Sequence, residues 1–152
     1  MKPLDETDLD IIRVLQENCR LSVRELSAKV HRSPTPVFER LRRLESEGII
    51  KSYGARIDME KIGRGFTIFC NVKLKQINTD IHTEFSEEVD KMIEVSECYN
   101  VSGKFDYLLK VQVPDMKSYR LFVTDRLGQL PMLDSVESVF VMEEIKQSYV
   151  LV

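Results

Sequence analysis

Tryptophan is absent from this 152-residue chain, and histidine occurs twice, as His31 and His82. The three cysteines, Cys19, Cys70 and Cys98, are odd in number and widely spaced, and no CxxC occurs. This argues against a disulfide framework and leaves too few nitrogen and sulfur ligands for a zinc site. Two isolated histidines do not assemble a hydrolytic triad or a histidine-based acid/base pair. With no catalytic, metal or cofactor pattern in view, the chain reads as a non-enzyme. Long apolar runs are also missing: none approaches the roughly 20 residues that a membrane-spanning helix needs. The opening Met1-Lys2-Pro3-Leu4-Asp5-Glu6-Thr7-Asp8 turns acidic where a signal peptide would turn apolar. A cytoplasmic protein with no membrane partner is expected.

What is present is ordinary for a globular protein: 43% hydrophobic and 31% charged residues. The length fits one domain or two small ones of roughly 60 to 90 residues. The formal net charge of −3 conceals an asymmetry. Residues 1–64 hold 13 basic and 11 acidic side chains, whereas residues 65–152 hold 9 and 14. Within residues 20–51 the balance is 8 basic to 4 acidic, so a cationic surface is local to that stretch.

Residues 5–50 carry the punctuation of three helices. The first begins near Asp5, sets Leu9, Ile12 and Leu15 with Ile11 on one face, and ends near Asn18-Cys19-Arg20. The second has Ser22 as N-cap and Glu25 three positions on, a capping box, with Leu21 and Leu26 placed as a hydrophobic staple. His31 falls in the following turn. The third opens at Ser33 with Pro34 in the first helical position and Pro36 in the same turn, where a missing N–H is harmless. It stops at Gly48, suited to a left-handed C′ position with Ile49 reaching back to Leu44. Residues 52–64 read as an extended linker between residues 1–51 and a second domain, 65–152.

In the second domain the pattern predicts a strand over Phe66–Leu74, a helix from Asp80 to about Val95 and a strand over Glu97–Ser102. A turn at Gly103-Lys104 and a strand over Tyr107–Val113 follow, then a helix from Asp115 to about Gln129 and a strand over Val136–Ile145. The order βαββαβ is that of a ferredoxin-like unit, an antiparallel sheet with both helices on one face. The fold class is therefore α+β: a winged-helix-type helix-turn-helix domain followed by a ferredoxin-like domain. Cys70 and Cys98 are expected as small core residues of strands.

At about 100° per residue, Pro34, Val37, Phe38, Leu41 and Leu44 share one face of the third helix. Thr35, Pro36, Glu39, Arg42 and Arg43 point away from it, and Arg40 flanks the core, placed to pair with an acid or a phosphate. A major groove about 12 Å wide admits such a helix, and arginine pairs bidentately with guanine or phosphate. A solvated helix face with internally paired arginines is the alternative. Ser33, Thr35, Pro36, Glu39, Arg40, Arg42 and Arg43 are the candidate DNA-binding residues.

Three stretches carry a resemblance: Leu4-Asp5-x-x-Asp8-x-x-Ile11, Arg20-Leu21-Ser22-x-x-Glu25-Leu26, and Ser33-Pro34-Thr35-Pro36-Val37-x-x-Arg40-Leu41-x-x-Leu44-Glu45-x-x-Gly48-Ile49-Ile50. With Val101-Ser102-Gly103-Lys104-Phe105-Asp106-Tyr107-Leu108-Leu109-Lys110, Leu130-Pro131 and Val141-Met142-Glu143-Glu144-Ile145-Lys146, the chain resembles the Lrp/AsnC family of bacterial and archaeal regulators over nearly its whole length. The resemblance implies a nucleoid-associated transcription regulator of double-stranded DNA. It also implies homodimers formed through the sheet and assembling to octamers, and a free amino acid, leucine first among candidates, bound between subunits.

Gly103, Phe105, Asp106 and Tyr107 match the family's Gly-x-(Tyr/Phe)-Asp-Tyr turn. The resemblance implies an effector bound there, with Asp106 accepting from its ammonium, amides near Gly103 holding its carboxylate and Met116 bordering its side chain. Ser138, Phe140 and Val141 of a neighbouring subunit would close the site. Where many relatives have Gly-Val after Leu-Pro this chain has Met132-Leu133, and Val136-Glu137-Ser138 stands where Thr-x-Thr often follows. A DNA-wrapping nucleoid organiser of the same fold and a sensor module without DNA binding are the competing readings.

Overall fold

The computed structural model describes residues 3–148 and 150. The chain forms two compact units, one built on the chain up to Arg56 and again from Ile145, the other on Ile57–Glu144. The linker expected over 52–64 is thus divided between them, and the second unit starts and ends earlier than 65–152.

In the first unit, helices α1 (Glu6–Glu17), α2 (Val23–Lys29) and α3 (Pro34–Ser46) follow the local signals closely. Asp5 caps α1 by accepting from the Asp8 N–H at 3.0 Å, and Asp8 accepts from the Asp5 N–H at 3.1 Å. Ser22 and Glu25 exchange the same pair of bonds at the start of α2, at 3.3 and 2.8 Å. At the end of α3, Gly48 adopts φ +70°. The Ile49 N–H then reaches the Leu44 carbonyl at 2.9 Å, which satisfies a helix-end acceptor. His31, in the α2–α3 turn, is the one described non-glycine residue with positive φ, at 53°. Ile11, Leu26, Val30, Val37 and Leu44 form the core, each such side chain contributing about 1.5–3 kcal/mol on burial.

The second unit runs β1 (Phe66–Leu74), α4 (Thr79–Asp90), β2 (Val95–Asn100), β3 (Tyr107–Val113), α5 (Met116–Asp125), a 3₁₀ turn (Leu127–Gln129) and β4 (Leu133–Phe140). The sheet order is β2-β3-β1-β4, antiparallel throughout. Ile68, Cys70, Val72 and Leu74 of β1 and Tyr107, Leu109, Val111 and Val113 of β3 are buried in one core with Phe85 and Val89 of α4 and Tyr119 and Phe122 of α5. The strand residues between them lie on the opposite sheet face, which no helix of this unit covers.

Several element ends differ from the expected ones. Helix α4 begins one residue before Asp80, because Asn78 accepts from the Ile81 N–H at 2.9 Å. It stops at Asp90, since Val95 is needed opposite Val111 in the sheet. Met92 is consequently buried but Ile93 is exposed. Helix α5 gives way to the 3₁₀ turn, where a side chain on Gly128 would stand 2.6 Å from the Val123 carbonyl oxygen. Strands β2 and β4 sit two to three residues earlier at their starts than expected, with bulges at Val95/Glu97 and Lys73/Leu74. Cys70 is buried as expected, but Cys98, near the end of an edge strand, is exposed.

Candidate functional site

Helix α3 presents Ser33, Thr35, Pro36, Glu39 and Arg42 to solvent. The Ser33 side chain makes no capping bond. Phe38, expected on the core face, is instead 47% exposed, and the Arg42 guanidinium lies over its ring at 5.9 Å. That cation–π contact braces a side chain that would otherwise sample many rotamers. Tyr53 donates to Glu45 at 2.7 Å and so fastens the connector to α3. Burial first, then the Glu45 carboxylate, pushes the Tyr53 phenol up to about 12.

The remaining two arginines of the candidate surface turn inward. Arg40 Nη1 donates to both Asp5 carboxylate oxygens at 2.7 Å and to Asp8 Oδ1 at 2.7 Å. Arg43, whose backbone position faces away from the core, folds its long side chain back so that Nη2 donates to Asp8 Oδ2. Its expected outward orientation is therefore corrected: the Asp8 side chain has no exposed surface, and a buried carboxylate requires cations. Arg40 holds Asp5 below the usual carboxylate range, with the Asp8 N–H adding to the effect. For Asp8, burial pushes upward, but the Asp5 N–H and both arginines together hold it below its ordinary value. Nothing in the residue pattern had singled out Asp8 as a partner of these arginines.

In the second unit the Gly103 turn has φ +126°, a conformation that side chains rarely adopt. Asp106, 5% exposed, does not offer its carboxylate to a ligand as expected. One oxygen accepts from Lys73 Nζ at 3.0 Å and the other from the Leu74 N–H at 2.8 Å. Its own N–H donates to the Val72 carbonyl at 2.9 Å. Asp106 is thus a clamp that ties the turn to β1. Tyr107 is also corrected: it is buried against Phe85, ring centroids 4.3 Å apart, with its hydroxyl on His82 Nδ1. Burial raises its phenol. Phe105 is half-buried beneath Lys104, whose Nζ stands 4.8 Å from the ring centre.

Met116 is 53% exposed, not core. Ser138 Oγ meets the Tyr119 hydroxyl, which also contacts Cys70 Sγ at 3.1 Å. Phe140 packs edge-on to Tyr119 at 5.6 Å, and the Val141 N–H donates to the Thr67 carbonyl at 3.1 Å. Phe140 pairs with Ile68 while the turn is clamped at Val72 and Leu74. At about 3.3 Å per strand residue the two places are at least ~13 Å apart along β1. Within one subunit Phe140 therefore stands away from the Gly103 turn, while Ser138, opposite Cys70, lies between them. The sequence pattern did not point to Lys73, His82 or Tyr119.

Residues 4–51 match a family model for a winged helix-turn-helix DNA-binding domain, and residues 67–151 one for the Lrp/AsnC ligand-binding domain. Leucine-responsive regulatory proteins of Escherichia coli (strain K12) and Klebsiella pneumoniae are each 42% identical over 151 residues, spanning 99% of this chain and 92% of theirs. A Neisseria meningitidis transcriptional regulator solved in complex with L-Met superposes with a TM-score of 0.92 at 38% identity, covering 98% of this chain and 96% of that one. An AsnC-family regulator from Agrobacterium tumefaciens gives 0.90 at 35%, covering 95% and 94%. No helix among the described residues is long and apolar enough to cross a membrane. With a DNA-reading helix unit at one end and the family's ligand-binding domain at the other, the chain belongs to the Lrp/AsnC family of transcription regulators, proteins that bind DNA and are not enzymes.

Proposed function

We propose that this protein is a sequence-specific regulator that reads double-stranded DNA with Ser33, Thr35, Pro36, Glu39 and Arg42 of α3, as a homo-oligomer and under the control of a free amino acid. The observation that carries the DNA reading is Arg42, exposed and braced on Phe38 at the outer face of α3. Arg40 and Arg43 contribute by anchoring that helix. Replacing Arg42 with Ala is expected to weaken binding of a selected duplex by about 1–3 kcal/mol if it reads a base. If it meets only phosphate, the loss should instead lower the salt slope by about 0.9 and weaken all sequences alike. Fluorescence anisotropy across a salt series, with selected and scrambled duplexes, reads both. Unchanged affinity and slope would remove α3 as the reading helix. Equal affinity of the wild type for both duplexes would favour the DNA-wrapping reading.

The effector reading draws on the ligand-binding domain and on the L-Met bound to the Neisseria relative. Methionine and leucine are the first candidates. The amides at the Gly103 turn would hold the ligand carboxylate, with Met116 bordering the ligand side chain and Ser138, Phe140 and Val141 supplied by a neighbouring subunit. The distance from Phe140 to the Gly103 turn within one subunit favours a site closed by a neighbour, in dimers that assemble further to an octamer in the cytoplasm, on the nucleoid. Asp106 acts here by fixing the turn. Asp106→Ala should abolish effector binding and also destabilise the second unit by about 1–3 kcal/mol, because the Leu74 N–H and Lys73 lose their acceptor. Calorimetry with the twenty amino acids, together with thermal unfolding, checks this. Full retention of the response by Asp106→Ala would overturn it.

A further inference from the structure

The acid–arginine cluster between α1 and α3 does more than packing requires. Building on the reading of α3 as the DNA-contacting helix, we propose that Asp5 and Asp8 are specificity-determining positioning residues, which withhold Arg40 and Arg43 from phosphate so that sequence is read through Arg42 and its neighbours. Helix α3 carries three arginines within four positions. Free to move, all three could reach the phosphate backbone, whose attraction is the same for every sequence. Two are instead engaged by α1. Arg40 gives three hydrogen bonds to Asp5 and Asp8, Arg43 gives one to Asp8, and the arginine side chains are only 29% and 21% exposed.

Simple fastening of α1 to α3 does not call for this arrangement, since an apolar core already joins them through Ile11, Val37 and Leu44. Buried or half-buried ion pairs are weak sources of stability compared with apolar packing of similar volume. What the acids do supply is a counter-charge beside the cationic stretch. They lower nonspecific attraction while leaving the outward face unchanged, and so widen the gap between the right sequence and the rest.

Asp5→Asn tests this in the full-length protein. Asparagine is an equally good N-cap, so α1 keeps its start, while Arg40 loses the charge that accepts two of its three bonds. The probes are a duplex selected from a random pool by the wild type and a scrambled duplex of the same composition. Expected for Asp5→Asn is a salt slope steeper by about 0.9 on both duplexes, which at roughly 0.15 M salt corresponds to about five-fold tighter scrambled-duplex binding. The ratio of selected to scrambled affinity should fall, because the gained contact is blind to sequence. Glu6→Gln makes the same change in net charge one residue away and should move the slope by less than half as much. Adding Arg40→Gln to Asp5→Asn should remove the gain, which identifies Arg40 as its source.

A slope and ratio unchanged in Asp5→Asn, or changed equally by Glu6→Gln, would overturn the inference and leave the DNA reading standing. So would loss of affinity for both duplexes, which would make Asp5 only a support for α3. A wild type that binds neither the pool nor the scrambled duplex would overturn the DNA reading itself and the inference with it.

Discussion

Asp8→Ala is expected to destabilise the first unit by about 3 kcal/mol, enough to leave much of it unfolded at 37 °C. Breaking a buried ion pair by deleting one partner costs about 3–5 kcal/mol when the other charge stays buried. Arg40 can swing to water at the surface, which lowers the cost. Arg43 loses its carboxylate partner as well, and its Nε is already buried without a hydrogen-bond partner. A unit of this size has roughly 0.05–0.15 kcal/mol per residue in reserve, so the loss is comparable to its whole margin. Thermal unfolding of the full chain should show the first unit's transition moving well below that of the second, to which Asp8 does not belong.

The same network predicts acid sensitivity. Asp8 is held below its ordinary value in the folded chain despite its burial, so the unfolded chain takes up the proton more readily. The stabilisation is fully present above the unfolded value near pH 4 and is lost as pH falls through the lower folded value. Wild-type melting should therefore decline on acidification below about pH 4, and Asp8→Ala should show a shallower decline. A melting temperature within 2–3 °C of wild type at neutral pH, where about 3 kcal/mol corresponds to well over 10 °C for a unit this small, would remove Asp8 from any structural role.

Asp8 also shows which features were legible in the chain and which were not. The capping box at Ser22 and Glu25 and the left-handed stop at Gly48 are local: the residues that satisfy each helix end lie within a few positions of one another, so both appear in the structure as the spacing implied. The apolar periods likewise determined how many strands and helices form. Strand ends are different. Where β2 begins depends on which residue of β3 it meets, and where β4 begins on its partner in β1; bulges at Val95/Glu97 and at Lys73/Leu74 shift these two registers with no marker in the sequence. Side-chain destinations were the least legible. Arg43 faces outward by helical phase, yet its side chain is long enough to return to Asp8. The only hint was an acid three residues before the core residue Ile11, on an apolar stripe where it would need a cation. Asp106 reads as a ligand acceptor by its place in the turn, but the partners that occupy it, Lys73 and the Leu74 N–H, lie more than 30 residues away in sequence.

In the homo-oligomer proposed above, separating the subunits is expected to cost more DNA affinity than any change on α3. The sheet face away from α4 and α5 bears two apolar cross-strand pairs, Phe69 with Val139 and Leu108 with Tyr99, while across β1–β3 Phe69 meets Lys110 and Leu108 meets Asn71. Tyr99 and Val139, on the two edge strands, are 49% and 47% exposed, and with the half-buried Phe69 and Leu108 of the central strands they group apolar side chains on one face, as interaction surfaces do. If two copies meet there, their recognition helices can occupy half-sites one DNA turn, about 34 Å, apart. Tethering raises the effective concentration of the second reader to about millimolar, so the pair gains roughly 10²- to 10⁴-fold over one reader alone. Leu108→Asp places a charge on this face, opposite the helix-side core. The variant should sediment as a monomer at micromolar concentration, keep its fold by circular dichroism, and bind a palindromic duplex at least 100-fold more weakly. A chain ended near Arg64, which keeps α1–α3 but loses the sheet and the first unit's segment from Ile145, should bind no better. Should Leu108→Asp remain dimeric, or should the monomer bind with undiminished affinity, pairing through this face would not be what gives the protein its grip on DNA.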